Sequence, residues 1–143
     1  MKSADFVHVF IEKGDFGLLL QHRDDKPGIY EPGMLGVFGG HVDPTDVTIE
    51  AAAHRELQEE TGLKNRTLYA LGMIGIEGIT PQGELIYKRV HAFRTRVARN
   101  LHVPVYEGQG GIVLEFGMSI TEEQPLSDIA RLEIDTYYTG RFA

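Results

Sequence analysis

The ten residues HRELQEETGL, His54 to Leu63, place Glu56, Glu59 and Glu60 within one helical turn and set Arg55 beside them. On a helix, side chains three and four apart stand about 5–6 Å from one another at Cβ, where like charges repel. Such a cluster is either an ordinary solvated helix face or a seat for a cation. As hard oxygen donors, the glutamates suit Mg²⁺ or Mn²⁺, whose octahedral shell is commonly completed by water and phosphate oxygens. Arg55 precedes Glu59 by four residues, a spacing that lets its guanidinium hold a carboxylate in one rotamer. Upstream, an apolar run ends in Gly39-Gly40. Without a side chain, Gly40 lets its backbone carbonyl come close to the same ion. His41 and Asp43, in the loop beyond, are either groups lining the site or solvated loop residues.

The surrounding chain must supply elements that hold these groups. Residues 5–12, DFVHVFIE, predict a strand, and Lys13-Gly14-Asp15 turns it into the apolar run Phe16 to Gln21, a hairpin. Asp24 to Gly33 is dense in turn residues and reads as loop. It enters a short apolar stretch, Met34 to Phe38, that stops at the glycine pair. Thr48 as N-cap, an alanine-rich interior and Gly62 as stop predict a helix of about four turns with Ile49, Ala52, Ala53 and Leu57 on its inner side. Thr67 to Thr80 and Glu84 to Val97 flank Pro81-Gln82-Gly83 as a second hairpin of long strands. A loop from Pro104 to Gly111, a strand from Ile112 to Phe116 and a helical segment from about Thr121 to Leu132, with Pro125 near its start, complete the chain. This order implies a mixed α+β fold or an α/β/α sandwich, in one domain spanning residues 1–143. Phe6, Phe38, Tyr69, Tyr87 and Phe93 read first as core and second as base-stacking surfaces. Lys88, Arg89, Arg94, Arg96 and Arg99 read as a solvated strand face, with contact to a phosphate or a partner subunit as the alternative.

The segment Gly39 to Leu63 resembles the signature of the Nudix hydrolases, G-x5-E-x7-R-E-U-x-E-E-x-G-U with U aliphatic. Arg55, Glu56, Leu57, Glu59, Glu60, Gly62 and Leu63 match every fixed position of its second half. The first half departs: Asp46 stands where the signature has Glu, and eight residues rather than seven separate it from Arg55. The stretch Glu107-Gly108-Gln109-Gly110-Gly111 resembles a loop of the mutator-type branch that brings a further carboxylate to the metal cluster. This makes Glu107 an extra ligand or the base, against the alternative of a plain flexible turn. Leu20-Gln21-His22-Arg23 resembles the strand end where a basic residue meets substrate phosphates, with Arg23 in that role. Pro81 resembles the proline of ADP-ribose-cleaving branches only weakly and reads as a hairpin turn.

The resemblance implies an α/β/α sandwich with a mixed sheet and a Mg²⁺ or Mn²⁺ cluster on Gly40, Glu56, Glu59, Glu60 and Glu107. Its implied substrate is a nucleoside diphosphate linked to another moiety, met by Arg23, Gly39 and His41. Glu56, Glu59, Arg55 and Glu107 become the catalytic group, with Glu56 or Glu107 as the base. A nucleoside triphosphate pyrophosphohydrolase is the first expectation. A nucleotide-sugar or ADP-ribose hydrolase and a non-catalytic nucleotide-sensing module are the alternatives. Homodimers are frequent in the family.

Composition narrows the partners. Fourteen basic against twenty-one acidic residues give a net charge of −7, which argues against nucleic-acid polymers and anionic membranes. An anionic ligand would therefore need a metal and a few placed cations. The absence of Cys removes disulfides, thiolate zinc sites and thiol nucleophiles together. With no apolar run of membrane length and no signal-peptide pattern, the expected location is the cytoplasm.

Overall fold

The computed structural model describes residues 1–118 and 124–143. Its axis is strand β1 (Lys2–Lys13), rich in the Val, Ile and Phe that favour a buried pleated strand. Strand β2 (Gly17–His22) folds back on it through the Lys13–Phe16 turn. The two-residue β3 (Leu35–Gly36) and β4 (Phe38–His41) follow the long loop. Helix α1 (Ile49–Thr61) comes next, then the hairpin of β5 (Tyr69–Ile79) and β6 (Leu85–Val97), strand β7 (Gly111–Glu115) and helix α2 (Asp128–Thr139).

These strands form one mixed sheet. β1 pairs in parallel with β6 from Lys2 opposite Ile86 to Lys13 opposite Val97. Its other edge is shared, Phe6 to Val9 pairing with β4 and Ile11 to Lys13 with β2, both antiparallel. Because successive side chains point to opposite faces, the two faces of β1 carry different residues. Val7, Val9 and Ile11 pack with Ala52, Ala53 and Leu57 of α1. Phe10 packs with Ala130 and Ile134 of α2. The result is the sandwich expected from the element order, a mixed sheet between two helices.

Helix α1 begins and ends where its sequence signals lie. Thr48 accepts the Ala51 N–H at 3.0 Å, and Gly62, at φ 72°, donates its N–H to the Gln58 carbonyl. Gly83 closes the β5–β6 turn at Pro81-Gln82-Gly83. Helix α2 lies about seven residues further along than the sequence suggests. Ser127 caps it by accepting the Ala130 N–H at 3.0 Å, and Gly140 stops it. Its last turns contain Thr136, Tyr137, Tyr138 and Thr139, residues of modest helix propensity whose placement rests on packing, including Tyr137 stacked on Phe10 at 4.8 Å. The first residues of the expected segment, 121–123, lie outside the described residues.

Gly39 and Gly40 form the glycine-rich strand end expected there, in β4, because pairing with β1 leaves no room for side chains: a Cβ on Gly39 would sit 2.0 Å from the Val7 carbonyl oxygen. Two other expectations are corrected. Tyr69 and Tyr87 are exposed, on the outer hairpin, while Phe6, Phe38 and Phe93 are core. The basic row of β6 is not a uniform solvated face. Lys88 is buried, Arg89 pairs with Asp5, and Arg94 and Arg96 converge on the buried Glu12.

Candidate active site

Helix α1 crosses the end of β4 so that its acidic turn faces Gly40. A Cβ on Gly40 would lie 2.7 Å from Glu56 Oε1, so the Glu56 carboxylate can stand here only while position 40 has no side chain. Arg55 organises the turn. Its Nε and Nη2 donate to Asp46 Oδ1 and Oδ2, each at 2.9 Å, and Nη2 also donates to the His41 carbonyl at 3.0 Å. Its Nη1 donates to Glu56 Oε1 at 2.9 Å and Glu59 Oε2 at 3.2 Å. Asp46 is itself steadied by the Asp43 N–H at 2.8 Å. The shorter acid with one extra residue thus still reaches the guanidinium bidentately, and the Arg55 hydrogen bond holds its carboxyl below the usual range.

The three glutamates occupy different environments. Glu59 is half-exposed, whereas Glu56 is largely enclosed and burial pushes its carboxyl up despite Arg55. Glu60 is 2% exposed, and its Oε1 has no hydrogen-bond partner. Burial, then the charges of Glu56 and Glu107, push the Glu60 carboxyl up to about 8. Glu107 reaches this site because its loop is laced to the end of β2 and to α1. Gln109 N–H donates to the His22 carbonyl at 2.7 Å, Tyr106 N–H to the Glu60 carbonyl at 2.8 Å, and Gln21 Nε2 to the Glu107 carbonyl at 3.2 Å. These bonds fix the path of the loop beside α1.

As they stand, no three His, Asp or Glu side chains among the described residues form a closed metal cage, and Arg55 occupies Glu56 and Glu59. The donor set nevertheless fits a hard divalent cation. An orphaned buried carboxylate oxygen on Glu60 calls for a positive partner, the space at Gly40 is kept clear, and all the donors are oxygens.

A cavity of about 340 Å³ opens from this acidic end. Glu56, Glu59, Glu107, Gly39, Gly40, His41 and Arg23 all line it, so the candidate residues are brought together, with Glu60 just behind the wall. Arg23 Nε donates to the Tyr30 carbonyl at 2.7 Å, which pins the loop over the cavity. His41 lies against Phe6 with ring centroids 4.2 Å apart, and burial lowers its pKa.

The same cavity is lined by a second polar group. Glu133 of α2 is 1% exposed, its Oε2 lies 2.7 Å from His8 Nδ1, and its Oε1 has no partner. Lys88 stands 4.1 Å from the Tyr30 ring centroid and 5.0 Å from that of Phe6. Sequence reasoning passed over His8, Tyr30 and Glu133 and misplaced Lys88. One signal was available: Glu133 sits at helical spacing with the buried Ala130 and Ile134, where an apolar residue is the norm.

With this geometry in view, the comparisons give the class. The NUDIX domain model matches residues 2–113, and the chain belongs to the Nudix hydrolase family. Over 62 residues it is 51% identical to the oxidized purine nucleoside triphosphate hydrolase of Danio rerio, a match covering 43% of this chain and 37% of that protein. The MutT protein of Methanosarcina mazei Go1 superposes with a TM-score of 0.70 at 20% identity, over 96% of this chain and 94% of that one. The NUDIX domain of Shewanella oneidensis NrtR, complexed with ADP ribose, gives 0.68 at 16% identity over 97% and 88%. At such identities the likeness is one of fold. Among the described residues, no helix is long and apolar enough to cross a membrane.

Proposed function

We propose that the chain is a divalent-metal-dependent nucleoside triphosphate pyrophosphohydrolase, with Glu56, Glu59, Glu60, Glu107 and the Gly40 carbonyl as the ligand set for Mg²⁺ or Mn²⁺. The observation that carries the reading is the buried, unpartnered Glu60 oxygen set among further carboxylates, an arrangement that is unfavourable until positive charge arrives. Bound divalent ions neutralise a polyphosphate and acidify water. The chain's own groups do the rest. Arg55 keeps Glu56 and Glu59 in their rotamers, and Arg23, at the cavity wall, meets the phosphates. Of the two candidate bases, Glu107 is favoured. Among the described residues it makes no ion pair, whereas Glu56 is held by Arg55, so Glu107 is freer to take a proton from the attacking water. The Danio rerio relative directs attention to purine triphosphates.

The test is a panel of nucleoside triphosphates, nucleotide sugars and dinucleotides with Mg²⁺ and Mn²⁺, with products analysed by mass in ¹⁸O-labelled water. Metal-dependent release of pyrophosphate and monophosphate from triphosphates is the expected result, with Glu59→Gln folded and nearly inactive. Binding without turnover of any compound would instead mark the chain as a nucleotide-sensing module. Cleavage confined to nucleotide sugars or ADP-ribose would move it to the other hydrolytic branch.

A further inference from the structure

Two glutamines tie together the groups assigned to phosphate and to metal. Arg23 follows directly on β2, Glu107 lies in the loop before β7, and both line the cavity. Gln21, two residues before Arg23, donates from Nε2 to the Glu107 carbonyl at 3.2 Å. Gln109, two residues after Glu107, donates from Nε2 to the Arg23 carbonyl at 2.9 Å. Each glutamine thus stands beside one functional residue and grips the main chain of the other. Backbone bonds close the same two segments on each other, His22 N–H to the Gly110 carbonyl at 2.9 Å and Gln109 N–H to the His22 carbonyl at 2.7 Å. The approach is tight: a Cβ on Gly108, whose φ is 84°, would lie 2.4 Å from the His22 carbonyl oxygen. Gln21 is 3% exposed, whereas the Gln109 bond is open to solvent. The Gln21 amide has one workable orientation. A carbonyl only accepts and a guanidinium only donates, so the amide nitrogen faces Glu107 and the oxygen faces Arg23 Nη1, 3.5 Å away at the outer limit of a hydrogen bond.

We propose that Gln21 and Gln109 form a reciprocal clasp that fixes the spacing between Arg23 and Glu107, and that both glutamines are positioning residues acting through Glu107. The inference rests on the reading of Arg23 as a phosphate contact and of Glu107 as a metal ligand and base. In-line attack on a phosphoanhydride needs the group that holds the phosphates and the group that places metal and water to keep one separation. A misplacement of about 1 Å can cost about 100-fold in rate. A β2 end and a loop joined by backbone bonds alone would need no buried amide, whose removal from water must be matched by hydrogen bonds. The two links are unequal. Water can take the place of the exposed Gln109 amide, whereas loss of the enclosed Gln21 amide has no such replacement.

A double-mutant cycle on Mn²⁺ affinity, measured calorimetrically on the full chain without substrate, tests this. Gln21→Met, close in size, should weaken Mn²⁺ binding about tenfold, the scale of groups that orient metal ligands. Glu107→Gln should weaken it too. Adding Gln21→Met to Glu107→Gln should then cost less than about twofold more, because no carboxylate is left for the clasp to place. Gln109→Ala, at the exposed link, should cost about threefold and show the same coupling. It touches no interior residue, so it decides the matter if the thermal transition shows that Gln21→Met does not fold. A merely structural glutamine would lower Tm and leave these costs independent. Unchanged Mn²⁺ affinity in both single variants, or costs that add in full in the double variants, would overturn the clasp. The two readings fail in distinguishable ways: wild-type protein that binds no Mn²⁺ sinks the metal site and the clasp together, whereas wild-type binding with independent costs sinks the clasp alone.

Discussion

Arg55 and Asp46 face each other through two parallel hydrogen bonds, Nε to Oδ1 and Nη2 to Oδ2, both 2.9 Å long. The same guanidinium spends its remaining nitrogen on Glu56 and Glu59, so Asp46 sets where both carboxylates stand. Asp46→Asn keeps the size and removes the charge. Its expected result is a loss of about 10–100-fold in kcat with little change in substrate KM, the scale typical of groups that orient metal ligands. Steady-state kinetics at saturating Mn²⁺ checks it, and an unchanged kcat would free Asp46 from this role.

Gly40→Ala probes the clearance over the acidic turn. The added methyl would meet the far end of the Glu56 side chain at 2.7 Å, and a side chain can swing away where backbone cannot. Stability should therefore change by less than about 1 kcal/mol, within the range of most surface substitutions. Metal-dependent activity should fall about tenfold or more because Glu56 is displaced. Paired thermal melts and rates separate these effects.

Metal binding should be visible without substrate. A ligand that binds only the folded state at a hundred times its Kd contributes about 2.7 kcal/mol, equivalent to a rise in Tm of roughly 5–10 °C for a chain of this length. The wild-type protein should show such a rise between EDTA and saturating Mn²⁺. Glu60→Gln should abolish it. Because this substitution removes an enclosed acid with no partner for one oxygen, the Tm of the variant in EDTA should equal or exceed that of the wild type.

Acid sensitivity should trace in part to Asp5. Hydrogen bonds from Arg89 and His91, at 2.9 Å each to Oδ1, hold its carboxyl at about 2 instead of 3.8. A depressed folded pKa gives stability that is present above 3.8 and lost as pH falls from there through about 2. Asp5→Asn should lower stability at neutral pH and flatten the melt-versus-pH curve across that window. Asp5 is more than a third exposed, so solvent screening keeps the effect within about 1 kcal/mol.

The helix α1 and its acidic turn were legible because their determinants are local: a Thr cap, a Gly stop and charges at fixed offsets. The hairpin at Pro81-Gln82-Gly83 was legible for the same reason. Contacts between distant parts of the chain were not. His8 and Glu133 are 125 residues apart, and neither belongs to a motif that would pair them. Lys88 looked solvated because charge suggests water; Phe6, from β1, and Tyr30, from the long loop, turn its surroundings aromatic. Asp46 looked like a defect in the signature, since no spacing rule shows that one added residue lets a shorter side chain reach Arg55. Helix α2 was displaced in the reading because its end is decided by packing on Phe10 and not by propensity.

Strand β1 has helix α1 on one face and α2, with Glu133, on the other, its odd- and even-numbered side chains divided between them. Adding or deleting one residue near His8 would exchange the two sets downstream, sending Val9 and Ile11 toward α2 and Phe10 toward α1. Drift at this strand is therefore confined to swaps in place. A swap at an even position therefore alters only the packing under α2, and one at an odd position only the packing under α1.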